Sequence, residues 1–170
     1  MPRLIVSPLS AVDAISREHR PSHLVSLLGP DSDMQRPDGI APENHLSLVF
    51  NDISTPIADL IAPTEAHVDR LIAFLTDWDR GQPMLIHCWA GISRSTAAAY
   101  IALCLHRPDD DETELARLLR RASPTATPNP LMVALGDIAL DRDGRMVDAI
   151  DTIGRGAEAW EGKVFTLPLA

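Results

Sequence analysis

Short apolar runs alternate along the chain with longer stretches that repeat apolar residues at the spacing of one helical face. The apolar runs predict four strands, at residues 4–6, 23–28, 46–49 and 84–86. The periodic stretches predict helices at residues 10–16 (capped by Ser10), 64–78, 95–106, 109–121, 131–141 and 145–153. This alternation is typical of an α/β domain with a central, mainly parallel sheet of about four to five strands flanked by helices.

Two of the predicted elements are apolar on nearly every side. The strand at 84–86 is wholly apolar, as in a parallel strand covered on both faces, and the helix at 95–106 is apolar almost all round. We therefore expect both elements at the centre of the domain. The segment 50–63 has no sustained period and is predicted to be a long loop, a kind of segment that is usually functional when ordered.

The length and composition indicate one domain spanning residues 1–170. The chain has 170 residues, of which 45% are hydrophobic and 23% are charged. Its longest apolar stretch, at 96–105, is about half of the roughly 20 residues that a membrane-spanning helix needs. The first residues contain only a three-residue apolar run, far short of the core of a signal peptide, so we expect a cytoplasmic protein.

The charge and the cysteine count exclude several function classes. With 15 basic against 24 acidic residues, the net charge is -9, which argues against binding to nucleic acid or to an acidic membrane. The two cysteines cannot form a disulfide framework, and none of the His and Cys spacings is that of a zinc site. We expect no metal and no cofactor, and any anionic substrate must be recognised by a local site.

A candidate oxyanion site lies where the strand at 84–86 leads into the helix at 95–106. The first backbone N–H groups of a helix have no partner within it and attract anions, and a short loop wrapped on that end adds further donors. Gly91 allows the loop to close tightly, and the Arg94 guanidinium can hold two phosphate oxygens at once. The candidate phosphate ligands are Cys88, Trp89, Ala90, Gly91, Ile92, Ser93 and Arg94.

The same surroundings make Cys88 a candidate nucleophile. A helix N-terminus, an arginine and several inward N–H groups favour the thiolate form of a cysteine. Ser95 can donate a hydroxyl hydrogen bond to that sulfur and help it to leave in a second, hydrolytic step. His87 points to the opposite face of its strand, so we assign it to orientation of the loop rather than to base catalysis.

The string His87-Cys88-Trp89-Ala90-Gly91-Ile92-Ser93-Arg94-Ser95 resembles the signature loop of cysteine-dependent protein tyrosine phosphatases. The closer resemblance is to the dual-specificity-like branch, and more narrowly to the small predicted tyrosine phosphatases of bacteria. It extends from about residue 46 to residue 141 and includes Pro128-Asn129, similar to a Pro-Asn pair after the later helices of dual-specificity enzymes. The resemblance implies a tyrosine phosphatase-like fold, with Cys88 as nucleophile, Arg94 as phosphate ligand, Ser95 as helper of thiolate departure and Asn129 in support.

The resemblance also implies a general acid on a separate loop before the cysteine. The segment 50–63 offers Asp52 and Asp59. Asp52 is favoured because it follows the third predicted strand directly, where an analogous aspartate lies in the dual-specificity branch. Once ionised, the same carboxylate would serve as base for the attacking water. Asp59 remains the alternative, and a turn or cap role is the structural alternative for Asp52.

The substrate class follows from departures from the family pattern. The sequence has no Trp-Pro-Asp triplet, and Tyr100, its only tyrosine, lies in the predicted buried helix, so we expect a shallow pocket open to more than one phosphoresidue. Trp89, Ala90 and Ile92 stand where polyphosphoinositide phosphatases carry lysine, which disfavours lipid headgroups. The expected function is metal-independent hydrolysis of phosphomonoesters through a phosphocysteine intermediate, as a protein tyrosine or dual-specificity phosphatase. Protein phosphotyrosine is the favoured substrate class, with other phosphorylated proteins or a small phosphomonoester beside it, and phosphate, sulfate or vanadate is expected to bind in the loop.

Two alternative functions stand beside this interpretation. A phosphate-binding pseudophosphatase that recognises phosphoproteins would need the loop but neither Cys88 nor Ser95. A redox role would need a partner thiol, yet Cys104 lies on the order of 13 Å along the helix from Ser95, beyond the about 7 Å that a disulfide allows, and is predicted to be a core residue. Arg120 and Arg121 could border the site, although charge at a helix C-terminus is the simpler role. For the segment 154–165 the sequence predicts no chemical role.

Overall fold

The computed structural model describes residues 1–170 of the protein, built around one five-stranded sheet. The strands are β1 (Arg3–Pro8), β2 (His23–Leu28), β3 (His45–Val49), β4 (Met84–Cys88) and β5 (Phe165–Pro168). Their order across the sheet is β3-β2-β4-β1-β5. The first four are parallel to their neighbours and β5 runs antiparallel to β1. The predicted α/β class and mainly parallel sheet are confirmed.

Six helices cover the two faces of this sheet. They are α1 (Val12–His19), α2 (Glu65–Asp77), α3 (Arg94–His106), α4 (Glu112–Ala122), α5 (Pro130–Ala139) and α6 (Arg145–Ile153). On one face α1 packs on a small apolar cluster that includes Ile5, Leu24 and Leu85. On the other face, helices α2 to α6 enclose the larger core. None of the helices has the length and apolar character needed to cross a membrane.

The unit formed by β4 and α3 lies at the centre of the molecule, as predicted. All five residues of β4 are buried between β1 and β2, and α3 is buried from Arg94 to Cys104. An element without a polar face is stable only when other elements cover it on all sides. The loop between β4 and α3 is therefore held between two of the most deeply buried elements of the fold.

The structure departs from the predicted elements near the chain ends. The prediction of Ser10 as a helix cap is wrong, because residues Leu9–Ala11 form a 3-10 turn and α1 starts at Val12 without a side-chain cap. Strand β5 was not predicted. It is only four residues long and finds its backbone partners in β1, at the other end of the chain, so no local pattern marks it.

Candidate active site

The loop of residues 88–94, here the phosphate loop, joins the end of β4 to the first turn of α3. Gly91 lies in it with φ +70°, in the left-handed region. A Cβ atom at this position would lie 2.7 Å from the backbone N of Pro8 and 2.9 Å from the carbonyl carbon of Ser7. Only glycine therefore lets the loop turn this tightly against the end of β1.

The sulfur of Cys88 lies among hydrogen-bond donors at the start of α3. Its Sγ atom is 3.1 Å from Ser95 Oγ and accepts a hydrogen bond of 3.2 Å from the Gly91 backbone N–H. The side chain is buried, with 2% of its surface exposed. Donors and the positive end of a helix stabilise negative charge on a sulfur. This arrangement suits a nucleophilic thiolate.

Arg94 closes the phosphate loop and connects it to the segment 50–63. The Nη1 group donates a hydrogen bond of 2.9 Å to the carbonyl oxygen of Phe50. The Nε group is buried and has no partner within the protein. A buried guanidinium N–H without an acceptor is unfavourable, and an oxygen of a bound phosphate would supply the acceptor.

His87 forms part of a row of hydrogen-bonded polar side chains that ends at the backbone of the phosphate loop. Its Nδ1 atom lies 3.3 Å from the carbonyl oxygen of Cys88, and its Nε2 atom lies 2.7 Å from Ser26 Oγ. Ser26 Oγ is in turn 2.8 Å from Nε2 of His45. Burial lowers the pKa of His87 to about 4, so the ring is neutral at pH 7. A neutral ring held at both nitrogens orients the loop backbone and carries no charge into it.

The structure brings Asp52, and not Asp59, to the phosphate loop. Asp52 Oδ1 accepts hydrogen bonds from Ser93 Oγ at 2.8 Å and from Asn129 Nδ2 at 2.9 Å. Asn129 also donates to the carbonyl oxygen of Ile53 and caps α5 by accepting from the Met132 N–H. Asp59 is exposed, with φ 63°, and makes no hydrogen bond to the loop. Of the two candidate carboxylates, only that of Asp52 lies against the phosphate loop.

The sequence predicted no role for the segment 154–165, and most of it, up to the start of β5, lies beside the phosphate loop. The Gly162 N–H donates a hydrogen bond of 2.8 Å to the carbonyl oxygen of Ala90. The Trp160 ring packs edge-on against Trp89, with ring centroids 5.6 Å apart. A cleft of about 610 Å³ lies between this segment, Asp52 and Ser93. The signal in the sequence was a tryptophan set between Gly156 and Gly162.

Two other side chains singled out from the sequence lie outside the site. Burial raises the pKa of the Cys104 thiol to about 12, and this cysteine belongs to the core. Both cysteines are free thiols. The guanidinium of Arg120 donates to the carbonyl oxygens of Ala126, Ile153 and Gly154, and therefore fastens the end of α6 to the segment after α4.

Known proteins of similar sequence and structure are phosphatases. The chain is 31% identical over 112 residues to dual specificity protein phosphatase 12 of Mus musculus, a match that covers 65% of this chain and 31% of that protein. This chain thus spans less than a third of the length of that relative. No protein-family model matches the chain.

Solved structures of similar fold cover most of the chain. The PTP-2 phosphatase of Cydia pomonella has a TM-score of 0.62 at 21% identity, over 78% of this chain and 82% of that one. The Yvh1 phosphatase domain from Chaetomium thermophilum has a TM-score of 0.61 at 21% identity, over 84% of this chain and 93% of that one. At these identities the comparison establishes the fold, which is that of protein tyrosine phosphatases, as predicted.

Proposed function

Because the chain is similar in sequence to a dual specificity protein phosphatase and has the fold of protein tyrosine phosphatases, we propose that it belongs to the cysteine-dependent protein tyrosine phosphatase superfamily, on its dual-specificity-like side, and that it hydrolyses phosphomonoesters without a metal ion. The proposed substrates are phosphotyrosine and other phosphoresidues of proteins. The observation that carries this proposal is the sulfur of Cys88 at the start of α3, in contact with Ser95 and the Gly91 N–H. The buried Arg94 and the carboxylate of Asp52 complete the set.

In the first step the Cys88 thiolate attacks the phosphorus atom of the bound ester. A sulfur–phosphorus bond forms, and the bond from phosphorus to the ester oxygen breaks. Asp52, in its protonated form, gives its proton to the leaving oxygen, so that an alcohol or phenol departs rather than its anion. Backbone N–H groups of the phosphate loop and the Arg94 guanidinium stabilise the charge on the three other oxygens.

In the second step a water molecule attacks the phosphocysteine. The Asp52 carboxylate, now ionised, takes a proton from this water as the new oxygen–phosphorus bond forms. The sulfur–phosphorus bond breaks, and the Ser95 hydroxyl donates a hydrogen bond to the departing thiolate, from which it is 3.1 Å in the free protein. The products are inorganic phosphate and the original thiolate, with Asp52 protonated again.

The first experiment measures hydrolysis of phenyl phosphate across pH in the presence of a chelator. We expect the wild type to be active and Cys88→Ser to be inactive while it still binds vanadate, because the phosphate loop keeps its N–H groups and Arg94. The matched control is Cys104→Ala, which removes the chain's other thiol from the core and leaves the site intact.

Two results would contradict the proposal. Turnover retained by Cys88→Ser would exclude the thiolate mechanism. A folded wild type that binds vanadate or a phosphopeptide but releases no phosphate would instead favour the pseudophosphatase interpretation, in which the loop only recognises phosphoproteins.

A further inference from the structure

The segment Arg155–Glu161, here the recognition segment, is held at both ends beside the phosphate loop. At its start the Gly156 N–H donates to Thr127 Oγ1, and the Ala157 N–H donates to the carbonyl oxygen of Pro124. Just beyond its end, the Gly162 N–H donates to the carbonyl oxygen of Ala90 in the phosphate loop. A segment without helix or strand is thus fixed in place by its anchors.

Two glycines allow this close approach. A Cβ atom at position 156 would lie 2.6 Å from the carbonyl carbon of Thr125, and one at position 162 would lie 2.8 Å from the carbonyl oxygen of Gly91. Real Cβ atoms do not approach backbone atoms so closely, so any other residue would push the segment away from residues 125–126 at position 156 and away from the phosphate loop at position 162. The position of the recognition segment therefore depends directly on the phosphate loop.

The recognition segment presents one large aromatic side chain. Trp160 is 82% exposed, and its ring meets that of Trp89 edge-on at an angle of 86°. Trp89, itself 42% exposed, directly follows Cys88 in the phosphate loop. A tryptophan this exposed contributes little to the core, whereas aromatic side chains at the mouth of a cleft dominate the binding of ligands.

One cleft contains both the Trp160 ring and the proposed acid. Trp160 lines it together with Ile92 and Ser93 of the phosphate loop and with Asp52. In the proposed reaction the ester oxygen lies between the sulfur of Cys88 and the Asp52 carboxylate, because one attacks the phosphorus and the other protonates the ester oxygen. A leaving group that extends from there into this cleft would contact Trp160.

We propose that Trp160, supported by Trp89, is a specificity-determining residue that selects esters with an aromatic leaving group. This inference rests on the proposed function and names its substrate class, the aryl phosphate monoesters, whether phosphotyrosine in a protein or a small aryl phosphate. The ring of such an ester packs against the indole, whereas the single methylene of phosphoserine offers no face to it. The recognition segment thus places a large aromatic side chain beside the phosphate loop, which no local sequence pattern indicated.

Binding to the non-hydrolysing Cys88→Ser protein tests this proposal by calorimetry. The ligands are a phosphotyrosine peptide, the same peptide with phosphoserine, and phenyl phosphate. We expect Trp160→Ala to weaken both aryl ligands by about 3- to 10-fold, the size of an aromatic contact, and the phosphoserine peptide by less than about twofold. Trp160→Phe restores most of the affinity. The control Ile138→Ala, an exposed apolar residue of α5 outside the cleft, changes none of the three.

The outcomes separate this inference from the proposed function. Equal losses for the two peptides, or no loss for either, would overturn the role of Trp160. Loss for both aryl ligands supports recognition of the ring itself, whereas loss for the phosphotyrosine peptide without loss for phenyl phosphate would show that Trp160 contacts the peptide and not the ring, and would overturn the proposal. Hydrolysis of phenyl phosphate by the wild type is measured separately, so failure of catalysis is not confused with failure of selectivity.

Discussion

At the scale of single residues, the two cysteines show how surroundings decide chemistry. Cys88 lies at the start of α3, where Ser95 and the Gly91 N–H contact its sulfur. Cys104 lies within α3, ten residues after its first residue Arg94. It belongs to the apolar core, and burial raises the pKa of its thiol to about 12. The same side chain is a candidate nucleophile at one position and an inert core residue at the other.

The role of Asp52 can be tested by replacing its carboxyl group, the proposed proton donor, with an amide. We predict that Asp52→Asn lowers kcat for phenyl phosphate by about 10²- to 10⁴-fold, because an unprotonated phenoxide is a poor leaving group. The alkaline limb of the pH profile should flatten at the same time, since no acid remains to be ionised. The measurement is kcat against pH for the wild type and both variants, Asp52→Asn and Asp59→Asn. If Asp59→Asn shows these effects instead, the assignment of the acid is wrong.

At the scale of elements, the segment 50–63 is ordered without any helix or strand of its own. Two hydrogen bonds between Asn51 and Ile61 close its base. The Asn51 N–H donates to the carbonyl oxygen of Ile61, and the Ile61 N–H donates to Asn51 Oδ1. Arg94 of α3 holds Phe50, and Asn129 at the start of α5 holds Asp52. Because both helices also carry the phosphate loop or pack against it, Asp52 and Cys88 are positioned by shared supports.

Asn129 is therefore predicted to be a positioning residue for Asp52 as well as a helix cap. The variant Asn129→Ser retains a side-chain oxygen for the Met132 N–H but removes the donor to Asp52. We expect kcat for phenyl phosphate to fall by about tenfold, the cost of one hydrogen bond to a charged group, with KM and melting temperature almost unchanged. A lower melting temperature with unchanged kcat would show that Asn129 acts only as the cap of α5.

At the scale of the whole molecule, burial of histidines makes stability depend on pH. Burial lowers the pKa of five of the six imidazoles, namely those of His23, His45, His67, His87 and His106. The effect is large at His87, whose pKa is lowered to about 4, so that its ring stays neutral in the folded state down to about pH 4. The unfolded chain takes up this proton near pH 6.5, so stability is lost as pH falls from about 6.5 to about 4.

We predict that the free energy of unfolding is lower at pH 5 than at pH 7, with about 2 kcal/mol of the difference due to His87. The variant His87→Gln lacks the ionisable ring and should lose less stability over this interval. Urea unfolding of both proteins at the two pH values measures the difference. Equal losses of stability in the two proteins would show that the His87 ring is protonated in the folded state in this range.

The strand–loop–helix unit of the site could be predicted because its signals are local. An apolar run, a glycine within a short loop and an apolar helix follow one another between residues 84 and 106, and the phosphate ligands lie inside that stretch. The bounds of β2 and α6 were predicted to the residue, and most of the other elements to within a few residues. Hydrophobic periodicity carries this information because it is repeated within each element.

Tertiary structure alone decided which further residues join the site. Asp52 and Asn129 are 77 positions apart in the sequence and are joined by a hydrogen bond. This contact distinguishes Asp52 from the other candidate, Asp59, and no local sequence pattern does so. The recognition segment meets the phosphate loop through backbone hydrogen bonds, which leave no mark on the spacing of side chains. The sequence by itself therefore determined the fold class and the phosphate loop, whereas the positions of Asp52, the proposed acid, and of the Trp160 ring depend on contacts between distant segments that form only when the sheet is assembled.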